Sequence, residues 1–124
     1  PAPGAEDVDE MIVEDDSSEP KTFTVEITSA GYSPKDIEIN RGNSVTWVNK
    51  NSEENWPASA IHPTHTVYPG SNIEKCGTLE ETEIFDACRG LGTGESWSFT
   101  FNEIGKWNYH DHLRVSSFGS VSVK

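Results

Sequence analysis

From residue 21 onward apolar side chains recur at every second position, and this alternation constrains the fold more than any other feature of the chain. In TFTVEIT, Phe23, Val25 and Ile27 alternate with Thr24, Glu26 and Thr28. DIEIN puts Ile37 and Ile39 on one face, and NSVTWVN does the same with Val45 and Trp47. SWSFTF aligns Trp97, Phe99 and Phe101, KWNY aligns Trp107 and Tyr109, and SVSV aligns Val121 and Val123. Successive side chains of a strand point to opposite faces, so each of these six segments reads as a half-buried strand. Turn signals separate them: Gly31 with Pro34, NRGNS at 40–44, GTGES at 92–96, NEIG at 102–105, and Gly119. TLEETEIFDAC (78–88) reads as one or two helical turns, and no segment has helical periodicity over a useful length. The pattern predicts an all-β fold, an antiparallel β-sandwich of seven or eight short strands in one domain.

Residues 1–20 depart from this pattern. They carry eight acids (Glu6, Asp7, Asp9, Glu10, Glu14, Asp15, Asp16 and Glu19) and no base, which leaves 13 acids against nine bases for residues 21–124. So acidic a stretch, poor in large apolar groups, does not offset its ordering entropy and reads as a disordered tail or linker. Its charge repels phosphates, which excludes nucleic acid as a partner. No apolar run is long enough to span a bilayer. The chain opens at Pro1 and reads as a mature or trimmed product.

The segment 50–94 is long, irregular and rich in Pro, Gly, Asn and Ser, the kind of insertion that carries function in a small sandwich. It holds both cysteines, Cys76 and Cys88, with eleven residues between them. Metal thiolates are one reading, but zinc and redox pairs usually sit closer, as Cys-x-x-Cys. A disulfide closing a loop of this size contributes about 3 kcal/mol. The disulfide is the reading adopted, and it implies an extracytoplasmic compartment, whether periplasm, cell surface or medium.

All four histidines fall into two close pairs, His62 with His65 in IHPTHTVYPG and His110 with His112 in YHDHL. His-x-His on an extended chain projects both rings to the same side, which suits two neighbouring ligands on one metal. Imidazole suits copper, zinc, nickel and iron; copper tops the divalent affinity order, so Cu2+ is the expected ion, with zinc as a substitute. Ligand imidazoles must be neutral, so affinity is expected to fall as pH drops through the region near 6.

YSPKDIEINRGNSVTWVNKN (32–51), HTV (65–67), GESWSFTFNEIGKWNYHDHL (94–113) and the closing GSVSV together resemble the cupredoxins, small copper-binding Greek-key β-sandwiches. YHDHL also resembles the Tyr-His-Ser-His-Leu phrase of multicopper-oxidase domains. The resemblance covers residues 22–124 apart from the 70–92 insertion, and implies a cupredoxin-like domain over 21–124. It implies His65 as the first histidine ligand, and His110 and His112 as the oxidase-type pair. The blue-copper Cys position falls on Asp111, the axial-Met region reads SSFGS with Phe118, and Met11 lies in the tail. No thiolate is then available, so the expected site is a type 2, non-blue Cu(II) centre built from His62, His65, His110 and His112. Asp111 is expected to support an imidazole from outside the metal, and Trp56 to cover the metal loop.

Strict pleating raises a conflict. It faces Trp107, Tyr109 and Asp111 inward and His110 and His112 outward, so one four-histidine site requires the strand to end near residue 110. Otherwise the outward pair meets His62 at the rim, or a second chain. The leading functional expectation is copper storage, delivery or sensing, with a metal ion and a redox or copper-chaperone protein as partners. A copper redox enzyme acting on oxygen species or nitrogen oxides comes second, an electron-transfer protein third, and a metal-free interaction domain last. No Ser-His-Asp order or phosphate loop is present.

Overall fold

The structure is a computed structural model that describes residues 19–124; of the acidic stretch, all but Glu19 and Pro20 lie outside the described residues. Eight strands follow in order: β1 (Thr22–Thr28), β2 (Gly31–Ser33), β3 (Asp36–Ile39), β4 (Ser44–Asn49), β5 (Pro57–Ser59), β6 (Ser96–Thr100), β7 (Gly105–Asp111) and β8 (Arg114–Val123). They form two four-stranded sheets, β2-β1-β4-β6 and β3-β8-β7-β5. The alternating residues largely do what their spacing predicts, except that Phe23, at the start of β1, is exposed while Val25 and Ile27 are buried. In β4, Val45, Trp47 and Asn49 are buried while Ser44, Thr46 and Val48 are not.

The sandwich is mixed rather than wholly antiparallel: β1 runs parallel to β4, and β3 runs parallel to β8. The cause is the connection. The chain leaves the first sheet after β2, adds β3 to the second, and returns to lay β4 beside β1 in the same direction. Alternation is identical in either direction, so it carries no signal for this.

Aromatic rings fill the space between the sheets. Trp47 is stacked on Trp97 at 5.1 Å between ring centroids and meets Tyr109 edge-on at 5.3 Å. Phe85, from the long insertion, enters this core and stacks on Phe99 at 5.4 Å. Each such pair adds about 0.5–1.5 kcal/mol beyond the area it buries.

The insertion is clamped at both ends by one side chain. Buried Asn49 donates from Nδ2 to the carbonyls of Glu53, at 2.9 Å, and Leu91, at 2.8 Å. Between those points lie β5, a 3-10 turn at Ile73–Lys75 and another at Glu81–Glu83. The helical reading of 78–88 holds only for that last turn. Beyond it the chain bends at Ile84 and Phe85 and bridges β5 at Asp86, where Ser59 N–H donates to the Phe85 carbonyl at 2.8 Å and Ala87 N–H to the Pro57 carbonyl at 2.9 Å. Burial of Ile84 and Phe85 in the sandwich outweighs the local preference of the glutamates for a helix. Cys76 and Cys88 form a disulfide across this segment.

Gly119 is not a turn residue. It lies inside β8, where a Cβ would stand 2.4 Å from the Lys35 carbonyl oxygen and 2.7 Å from the Tyr109 hydroxyl. Gly119→Ala is therefore expected to lower stability by about 1–3 kcal/mol, read as a fall in the urea midpoint at unchanged slope.

Candidate metal centre

The four histidines meet because β7 and β8 form a tight hairpin with an irregular end. His110 pairs with Phe118, but Asp111 pairs with Arg114, and the register shifts between His110 and Asp111. The extra residues, Val115, Ser116 and Ser117, lie on β8, opposite the single step from His110 to Asp111 on β7. The strand thus runs one residue beyond the point where the pleating argument required it to stop. His112 sits in the two-residue turn with Leu113.

His110 follows core residue Tyr109 and takes the opposite face of the sheet, yet only 5% of it is exposed. The loop after β5 folds over it. Ala60 N–H donates to the Asn108 carbonyl at 3.0 Å, and His65 N–H to the Ile61 carbonyl at 2.6 Å. This turn carries His62 and His65 onto His110 and His112. His65 is fully buried, His112 half-buried and His62 exposed, so the cluster has a dry base and an open rim.

One nitrogen from each of the four rings lies within 4.8 Å of all the others. His112 Nδ1 is 3.0 Å from His65 Nε2, and His62 Nδ1 is 3.4 Å from His110 Nε2. Metal–imidazole bonds of about 2.0–2.1 Å place neighbouring ligand nitrogens roughly 2.8–3.4 Å apart, so each of these two pairs is spaced as neighbouring ligands of one ion are. Burial, and then the neighbouring imidazoles of His65, His62 and His112, push His110 down to about 4. Burial also lowers His112. Both rings are thereby kept in the neutral form that binds metal.

Asp86 orients the cluster, a residue the sequence reading passed over. Its Oδ2 accepts from His65 Nδ1 at 2.6 Å, which leaves Nε2 facing the other imidazoles. Its Oδ1 accepts from Trp56 Nε1 at 2.6 Å and from the Cys88 N–H at 2.8 Å. A carboxylate behind a ligating imidazole fixes its tautomer and raises its basicity. Asp86→Asn is accordingly expected to weaken metal binding by about 10–100-fold while the fold persists, as calorimetric titration measures.

Trp56 covers the cluster from the side, its ring 4.5 Å from that of His112. Asp111 faces elsewhere. Its carboxylate accepts from the Trp56 and Leu113 N–H groups and from Asn55 Nδ2, at 2.8, 2.9 and 3.2 Å. Burial raises its pKa above the usual carboxylate value. It shapes the turn that holds His112, and the carboxylate hydrogen-bonded to an imidazole is Asp86. The one sequence signal for Asp86 was its place between a bulky aromatic and a cysteine in IFDAC.

No protein-family model matches the chain, and no curated protein sequence does either. Solved structures do. A novel purple cupredoxin from Nitrosopumilus maritimus is similar at 22% identity, over 82% of this chain and 99% of that one, with a TM-score of 0.62. A reduced amicyanin variant is similar at 17% identity, over 83% and 82%, with a TM-score of 0.64. An oxidized amicyanin variant gives 20%, 82%, 81% and 0.59. Likeness at these identities is likeness of fold: the chain is a β-sandwich of the cupredoxin fold whose two cysteines are joined to each other, leaving no thiolate for a blue-copper site.

Proposed function

We propose that His62, His65, His110 and His112 hold one Cu(II) ion in a type 2 site, and that the protein stores, delivers or senses copper outside the cytoplasm. The observation that carries this reading is the convergence of four imidazole nitrogens within 4.8 Å, one of them aimed by a buried carboxylate. An all-nitrogen donor set with no thiolate favours Cu(II), with zinc as the weaker competitor. The disulfide supports an oxidising compartment. The bound ion supplies a Lewis-acidic, one-electron redox centre. His65 holds its place at the dry base, Trp56 keeps water from the His112 side, and exposed His62 is the ligand through which an ion enters and leaves. That exposure also favours a second reading. If water replaces His62, the metal gains an open position for a small oxygen or nitrogen-oxide species, and turnover assays on the copper-loaded chain separate the two.

Calorimetric titration tests the site: one Cu(II) per chain is expected, with weaker Zn(II) binding. No saturable Cu(II) binding, or the same isotherm after the histidines are replaced, refutes it. The depressed His110 and His112 also set a pH dependence. Their neutral forms are favoured in the folded chain, so their contribution to stability is complete above about 6.5, the ordinary imidazole value. It is lost as pH falls from there through the folded value of about 4 for His110. Metal-free protein is therefore expected to lose stability across that window in urea melts, and copper release is displaced below the pH near 6 that free imidazoles imply.

A further inference from the structure

Cys76 and Cys88 surround a carboxylate. Their two sulfurs and an oxygen of Asp86 all lie within 4.8 Å of one another. Both half-cystines are partly exposed, so a reductant reaches them, while Asp86 is buried. Asp86 is also the link to the histidines, through the Cys88 N–H on Oδ1 and His65 Nδ1 on Oδ2. Cys88 and His65 are the only non-glycine residues of positive φ among those described, at 61° and 58°. Backbone of this kind costs about 1 kcal/mol or more and persists where the surroundings over-determine it, typically at functional sites.

We propose that this disulfide is the closed form of a second metal site, Cys76–Asp86–Cys88, which opens on reduction and takes Cu(I). The reductant is a dithiol of the thiol–disulfide oxidoreductase class. Its two thiols give up two electrons and two protons and become a disulfide, and the Cys76–Cys88 bond becomes two thiols. Binding of Cu(I) then displaces the thiol protons to solvent, with no change in the oxidation state of the metal. Thiolates select Cu(I) over Cu(II) among copper ions. With the Cα atoms 5.5 Å apart, rotation of the two side chains is enough to place both sulfurs around an ion at metal–sulfur distances of about 2.3 Å. The histidine centre and this site then share Asp86, one serving Cu(II) and the other Cu(I). The inference does not depend on the histidines binding copper.

The test uses the full chain, reduced with dithiothreitol, desalted without oxygen, and offered Cu(I) in competition with a chromophoric Cu(I) chelator. The reduced chain is expected to retain one more Cu(I) than the oxidised chain, with its β-rich circular dichroism intact. That extra ion is lost in Cys88→Ser and kept in the His110→Ala, His112→Ala double variant, so failure of the histidine site alone leaves the difference unchanged. Equal Cu(I) content in the two redox forms overturns the proposal. So does an extra ion that survives Cys88→Ser, or one held only after the β signature is lost.

Discussion

Replacing His110 and His112 together by Ala is expected to weaken Cu(II) binding by more than about a thousandfold, because each is a proposed ligand and even an outer partner commands about 10–100-fold. The fold is expected to survive. Neither side chain belongs to the apolar core, which is built from Val25, Trp47, Phe85, Tyr109 and their neighbours. Calorimetry reads the first result and circular dichroism with thermal melting the second. His62→Ala is expected to cost less than His65→Ala, since His62 is exposed whereas His65 is buried and hydrogen-bonded to Asp86. Copper binding that persists in the double variant removes the hairpin turn from the site.

Phe85→Ala is expected to be the most damaging single substitution for stability, at about 3–5 kcal/mol. Phe85 is fully buried, and its ring lies 5.6 Å from Trp47, 4.9 Å from Phe101 and 5.8 Å from Tyr109. It pins the insertion to the sandwich one residue before Asp86, so its loss should also cost copper affinity that Gly119→Ala leaves alone. Urea unfolding read by tryptophan fluorescence measures the first effect. Phe85→Leu, which keeps most of the volume, should recover most of it. A loss below about 1 kcal/mol for Phe85→Ala contradicts the anchoring role.

The alternating strands were legible because one face of each is buried: Val45, Trp47, Phe99 and Val121 stand where period two puts them. The direction of β1 against β4 was not, since a side-chain pattern is blind to strand polarity. The two histidine pairs were visible as a spacing, but their convergence depends on the loop after β5 folding onto the end of the β7–β8 hairpin, which no residue type announces. Gly119 misled because glycine marks both turns and close packing, and here the Lys35 carbonyl and the Tyr109 hydroxyl occupy the space of a side chain. Asp86 and Phe85 were hidden in a segment whose glutamates suggest a helix. Their alternation, Phe85 to the core and Asp86 to the histidines, covers too few residues to compete with that signal.

In the proposed site four imidazoles and no sulfur surround one Cu(II) ion. Electron paramagnetic resonance of the chain loaded with a single equivalent of Cu(II), together with its visible spectrum, tests it most directly. A tetragonal nitrogen site keeps the unpaired density on copper, so a large parallel hyperfine splitting, nitrogen couplings from imidazole, and only weak d–d absorption are expected. An intense charge-transfer band near ~600 nm with a collapsed hyperfine splitting contradicts it, because that signature requires a thiolate on the copper, and both cysteines of this chain are bonded to each other.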